Sequence, residues 1–225
     1  MKYVKTMVWF AIAAFILGAP LSAFAADAGA PVYQLPKRGA PAGRIGGGTC
    51  GTQREVFVLS VLAPDHSGLT ISEQPSLYRF ISNSTSIPVE LTVMDAQGIQ
   101  PILETRIPAP VQAGVHRIRL SDYNVRLAHG AAYRWFVTVV PDADRRSKDI
   151  LAGGAVERVE IPAELKAKLA SASKTELPAI YGAAGLWYDT VAAMSDLIDA
   201  APQDQTLRKQ RTALLAQVGL TGITE

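Results

Sequence analysis

The chain has 225 residues, 48% of them apolar, with 22 Lys and Arg against 20 Asp and Glu and a single cysteine. That composition describes one folded domain, or one domain with a small appendage. It excludes an internal disulfide and leaves no electrostatic footprint for nucleic acid or for an anionic bilayer.

The first element is a leader. Lys2 and Lys5 precede an uncharged apolar run from Met7 to Pro20, and Ser22-Ala23-Phe24-Ala25 ends in a small-x-small cleavage pattern. The run is shorter than the roughly 20 residues that span a bilayer. Residues 1–25 therefore read as a cleaved signal peptide, and the mature protein as periplasmic or secreted, without stable membrane insertion. Both leader lysines leave with it, so 20 charges of each sign remain. The expected partner is an unidentified envelope protein or a glycan, not nucleic acid.

Residues 26–52 read as a Pro/Gly-rich flexible arm. Pro31, Pro36 and Pro41 alternate with glycines, Gly46-Gly47-Gly48 follow, and only Val32, Tyr33, Leu35 and Ile45 are large and apolar.

Residues 53–161 carry seven short runs of strand character between turn signals: Val56–Leu62, Ser76–Ile81, Val89–Val93, Ile102–Ile107, Val115–Leu120, Tyr133–Val140 and Ala155–Ile161. No helical period separates them. The expectation is an immunoglobulin-like or fibronectin-like antiparallel β-sandwich of seven strands. Leu127 to Tyr133 sharpens it, because a tyrosine opening the sixth strand of such folds bonds back to upstream backbone.

Beyond Pro162 the period turns helical. Pro162-Ala163-Glu164-Leu165 opens a short helix. Ile180, Ala184, Trp187, Val191, Met194 and Ile198 share one apolar face, with Gly182 and Gly185 dividing it into two pieces. Pro202 breaks it, and Leu207, Leu214, Leu215 and Val218 line a last helix. Residues 162–225 thus form a helical hairpin too small to fold alone, expected to pack on the sandwich.

Several stretches carry a resemblance in their order: Pro36-Lys37-Arg38-Gly39 with Gly46 to Gly51; Gly68-Leu69-Thr70 with Gln74-Pro75-Ser76; Gly153 with Val156-Glu157-Arg158; and Tyr181, Gly185 to Asp189, Pro202 and Leu214 to Leu220. Together they resemble the bacterial family known as domain of unknown function 928. Cys50 stands where that pattern leads one to expect an arginine. The resemblance implies a bacterial envelope protein and no particular reaction. The helices are also loosely similar to a tetratricopeptide hairpin, through Gly185, Tyr188, Ala192 and Pro202, but a single hairpin is no repeat array.

Catalytic motifs are incomplete. Gly46-x-Gly48-x-x-Gly51 lacks the strand before it and the helix after it that a dinucleotide site needs. Ser171-Ala172-Ser173-Lys174 lacks the companion elements of serine acyl enzymes. His66, His116 and His129 have no metal-ligand spacing, and Asp142, Asp144 and Asp149 lack the glycine and closing glutamate of a calcium loop. His66 and Asp65 are placed where rim loops of a sandwich cluster.

Four residues remain as candidate interface positions: Arg158, Trp187, Tyr188 and Asp189. Arg158 is either part of a charged edge that resists strand addition or the partner of Asp189 across the sandwich–hairpin junction. Trp187 lies on the apolar stripe as core, and Asp189 suits a helix start. An aromatic beside a carboxylate also suits glycan or peptide recognition. No cofactor or metal is expected. The reading is a non-catalytic interaction or binding module of the cell envelope. The alternative is a cell-wall or glycan hydrolase with acids assembled from distant loops.

Overall fold

Alternation of apolar and polar residues places one face of a strand in a core, and the run Val89–Met94 shows it best. The computed structural model describes residues 29–36, 43–46, 49–50, 57–95 and 97–223, so the expected leader lies outside the described residues. Nine strands are seen among them: β1 Thr49–Cys50, β2 Phe57–Val61, β3 Gly68–Thr70, β4 Ser76–Ile81, β5 Val89–Met94, β6 Pro101–Ile107, β7 Gly114–Arg119, β8 Ala132–Val139 and β9 Ile150–Arg158. Four helices follow: α1 Ala163–Ser171, α2 Leu177–Ala183, α3 Trp187–Ala200 and α4 Gln205–Ala216. No helix among the described residues is long and apolar enough to cross a membrane.

The strands form two sheets, ordered β1-β2-β4-β7 and β3-β9-β8-β5-β6. On β5, Val89, Leu91 and Val93 are buried while Glu90, Thr92 and Met94 are not. They meet Leu59, Val61, Leu77, Ile81, Trp135, Val137 and Val139, all with no exposed surface. All seven expected strands are present. The expected all-antiparallel, seven-stranded arrangement is corrected: β1 and β3 are additional, and β3 runs parallel to β9, which makes the larger sheet mixed. Three residues are too few to show alternation, so β3 is invisible to periodicity.

β9 begins at Ile150, ahead of the expected Ala155. Gly153-Gly154 reads as a break in a strand, yet here the two glycines admit neighbours. A Cβ on Gly153 would collide with the Phe136 ring, and one on Gly154 would lie 2.5 Å from Ala63 Cβ. At the entry to β8, the Tyr133 hydroxyl accepts a 3.1 Å bond from the Ala128 N–H, the back-bond expected of a corner tyrosine.

Every residue of β4 but the first is buried, because the helices cover the outer face of its sheet. Trp187, Val191, Met194 and Ile198 of α3 are buried along the expected stripe. Arg117 of β7 sits over the Tyr78 ring at 5.5 Å and pairs with Asp196 and Asp199 of α3 at 2.6 and 3.0 Å. α2 and α3 separate at Gly185, whose φ of +72° is costly for a residue with a side chain.

The arm differs from expectation in its described parts. Tyr33 is buried. Its N–H donates to Gln217 Oε1 at 2.8 Å, Gln217 Nε2 donates to Pro31 O at 2.8 Å, and Gln34 N–H donates to Gly182 O at 2.9 Å. Arg44 donates to Ala63 O and Val218 O, and Ile45 bridges to Gly153. One aromatic anchor and a line of backbone hydrogen bonds hold what apolar content alone could not. Gly182 is part of that docking: a Cβ there would lie 2.7 Å from Val32 O.

Candidate functional site

The loop between β3 and β4 is where the distant stretches meet. Thr70 lies beside Arg158 in the parallel β3–β9 pairing. Asp189, in the first turn of α3, accepts from the Ile71 N–H at 3.1 Å and from the Thr70 hydroxyl. Within the loop, Ser72 N–H donates to Thr70 Oγ1 and Gln74 N–H to Ser72 Oγ, turn bonds that serine and threonine favour. Gln74 Nε2 reaches Val125 O at 3.2 Å, and Leu127 N–H reaches Glu73 O at 2.8 Å. Nearly every residue from 70 to 74 is thus tied to another element.

Between this loop and α2–α3 lies a cleft of about 220 Å³. Thr70, Ser72, Gln74 and Ser76 line one wall, and Leu177, Tyr181, Asp189 and Asp196 the other. It is smaller than the roughly 300–1,000 Å³ of sites that swallow a whole small molecule. One sugar ring or one side chain fits that volume. Burial pushes the Asp189 carboxyl up to about 7, against the hydrogen bonds from Ile71 and Thr70, which favour the charge. Burial also pushes the Tyr181 phenol up, helped by the nearby Asp189. Asp196 is held by Arg117. The wall therefore presents hydroxyls, an amide, a phenol and a carboxyl poised near neutrality.

The resembling stretches that supply Gly68 to Ser76, Gly153 to Arg158 and Tyr181 to Asp189 all converge on this junction. The family description that matches, Domain of Unknown Function (DUF928), covers residues 38–225. The chain belongs to this family. No curated protein matches it. The DUF928 match takes in both sheets and all four helices, whereas the docked segment 29–36 precedes it.

Of the four candidate positions in this DUF928 chain, Tyr188 and Asp189 line the cleft, Tyr188 with almost none of its surface exposed. Trp187 has no exposed surface, and its Nε1 donates to Leu62 O at 2.8 Å. The Tyr188 hydroxyl donates to Ala155 O and accepts from Trp135 Nε1, each at 2.9 Å, and burial pushes its ionisation far up. Both residues join the helices to the sheets and are closed to a ligand. Gly68 makes room for them, since a Cβ there would lie 2.7 Å from the Tyr188 ring. Neither reading of Arg158 holds. Its strand is not a free edge, because β3 pairs along it, and its guanidinium does not reach Asp189. It donates to Leu127 O at 2.9 Å and lies 3.7 Å from Glu73. Arg158 and Asp189 instead grip two ends of one loop.

Thr70, Ser72, Gln74, Ser76 and Tyr181 escaped sequence reasoning as site residues. For Thr70, Gln74, Ser76 and Tyr181 the only signal was membership of the resembling stretches, and Ser72, between two of them, had none. His66 accepts from or donates to Tyr33 Oη at 2.9 Å, and Asp65 pairs with Arg44 at 3.2 Å, so this pair anchors the arm. Asp142 and Asp149 are engaged by Arg145 and Arg146 at 2.5 and 2.7 Å. The Cys50 side chain and part of the glycine motif lie outside the described residues.

Proposed function

We propose that this chain is an exported protein of the bacterial cell envelope that binds a polymeric partner, a protein or a glycan, without chemically altering it. The rigid β3–β4 loop carries the reading: side chains from β9 and α3 preorganise a polar wall that would need no reordering to bind. A narrow cleft suits one ring or side chain of a longer ligand whose remainder lies along the surface. Immunoglobulin-like architecture belongs to the same proposal. Without β1 and β3, the order β2-β4-β7 facing β9-β8-β5-β6 follows the A-B-E and G-F-C-C′ arrangement of variable-type domains, and Tyr133 takes the corner position. Such a scaffold supports many functions, so the site bears the weight of the reading.

The test is site-specific photocrosslinking in the full chain, with p-benzoylphenylalanine in place of Tyr181 and, as control, of the exposed Lys209. Binding through the cleft gives one discrete adduct, protein or glycan, from position 181 alone. Equal labelling from both positions, or none, ends the proposal. In the same cells, N-terminal mass determination expects a chain that starts near Ala26.

A second reading, hydrolysis, is favoured by one observation. Asp189 and Asp196 line the same cleft in different surroundings, one half-buried against the Ile71 N–H and one paired with Arg117, and environments that separate two carboxyls are how acid and base roles are assigned. Against it, the two are seven residues apart on one helix, about 10 Å along the axis. Release of soluble fragments from cell-wall material, abolished by Asp189→Asn, would replace the binding reading with this one.

A further inference from the structure

A strand at the end of a sheet leaves a row of N–H and C=O groups unpaired, and such an edge is a template for another strand. Among the described residues, β1 and β7 end one sheet and β3 and β6 the other. β1 and β3 hold two and three residues, too short to grip a partner. β7 carries Arg117 and Arg119 without a carboxylate of its own, so it offers a second copy no charge match. β6 is the longest of these edges, with seven residues, Pro101-Ile102-Leu103-Glu104-Thr105-Arg106-Ile107. Its Leu103, Thr105 and Ile107 are half-buried, the two aliphatics against the core, while Ile102, Glu104 and Arg106 are exposed.

This sequence is its own complement. When two copies of β6 pair antiparallel, residues of like face must meet, which puts the two-fold axis on a residue and not between residues. An axis at Glu104 sets two carboxylates face to face, and one at Arg106 does the same with two guanidinium groups. An axis at Leu103 or Ile107 leaves a charge facing Ile102 or Pro108. An axis at Thr105 alone sets Glu104 opposite the partner's Arg106, and Arg106 opposite the partner's Glu104. On the other face it joins the two threonines and lays Leu103 of each copy against Ile107 of the other. Opposite charges and paired threonines across a ladder both stabilise it, and covering the aliphatics adds apolar burial. Pro101 and Pro108, which lack an N–H, end the pairing on either side. The charges are also at liberty to pair. Glu104 forms no ion pair among the described residues. Arg106 lies 3.6 Å from Glu90 with 73% of its side chain exposed, and Glu90 keeps Arg146 at 2.8 Å when Arg106 turns away.

We propose that β6 is the interface through which two copies of this chain associate, antiparallel about a two-fold axis at Thr105. The larger sheet then runs on unbroken from one copy into the next. β3 ends the other side of that sheet, so the pairing leaves the Asp189 cleft open and holds or fails independently of it. A single strand makes a small interface, and the association is of the weak class.

The test is sedimentation of the mature chain, residues 26–225, from micromolar to submillimolar concentration, with a reductant present so that Cys50 links no copies. The wild type shifts from monomer towards dimer along that series. Glu104→Arg and Arg106→Glu each change an exposed side chain and each put two like-charge pairs into the dimer, so each weakens association by about tenfold or more. Mixing the two variants restores it, because every charge pair across the axis is then opposite in sign. A wild type that stays monomeric throughout overturns the proposal. So do single variants that associate as the wild type does, or a mixture no tighter than its components. Circular dichroism checks that each variant is folded. Should one fail to fold, Glu104→Gln decides: association weakens roughly twofold or more, and unchanged association overturns the interface.

Discussion

Two regions of the molecule bury polar groups in apolar surroundings, with opposite results. At the junction of helices and sheets, Trp187 Nε1 finds Leu62 O, the Tyr188 hydroxyl finds both Ala155 O and Trp135 Nε1, and Asp189 finds the Ile71 N–H. Every one of those bonds crosses from one element to another. Inside the sandwich, Arg79 is equally buried and its Nε finds nothing. The difference separates polar groups that join elements from one that the packing leaves short of a partner. A buried polar group whose partners are all internal specifies how two layers dock, while one left without a partner is a cost that the rest of the core must offset.

The largest test of the junction is Trp187→Ala. It should cost about 3–5 kcal/mol in urea unfolding, because it empties a fully buried indole site and strips Leu62 O of its donor. A much smaller loss would mean that the helices dock without this anchor.

Tyr188→Phe keeps the ring and removes two bonds at once. Orphaning Ala155 O and Trp135 Nε1 should cost about 2–3 kcal/mol. A near-neutral result would show that the network is dispensable, and would erase the contrast with Arg79.

Asp189 gives a signature in pH. Its folded value, about 7, is above the ordinary unfolded value of about 3.9. Its contribution is therefore complete below about pH 4 and is lost as pH rises towards 7. Wild-type stability should fall by roughly 2 kcal/mol across that window. Asp189→Asn, which can still accept from Ile71, should remove the slope and be the more stable protein at pH 8. Parallel profiles for the two proteins would place the carboxyl in water.

Gly182→Ala should move global stability least, by under about 1 kcal/mol, since alanine favours the helix by a similar amount. Its Cβ would nevertheless push on Val32 O, so proteolysis between residues 29 and 36 should become faster. An unchanged cleavage rate would mean that Tyr33 and Gln217 hold the segment unaided.

Much of this was legible in local pattern. Val89 to Val93 alternates and lies in a sheet with one face buried. The 3–4 spacing from Trp187 to Ile198 became the buried stripe of α3, and Gly185 became the break before it. Tyr133 announced its own back-bond. Even Arg79 left a mark, as one cation inside a run of large apolar residues, although nothing nearby in sequence said whether a carboxylate waits opposite.

What local pattern could not supply is the identity of partners. Gly68-Leu69-Thr70 is too short for a period and becomes a strand only because β9 accepts it in parallel. Gly153 and Gly154 stood outside the strand expected from Ala155, and belong to it because Phe136 and Ala63 press against them. Tyr33 looked like one aromatic in a loose arm until Gln217, 184 residues away, took its N–H. Arg158 read as a charged edge or as the partner of Asp189, and instead the two hold the same loop through Leu127, Glu73 and Ile71. Periodicity is a property of one segment and survives in the sequence; a hydrogen bond or a close approach belongs to two segments, and only the packed chain decides which two.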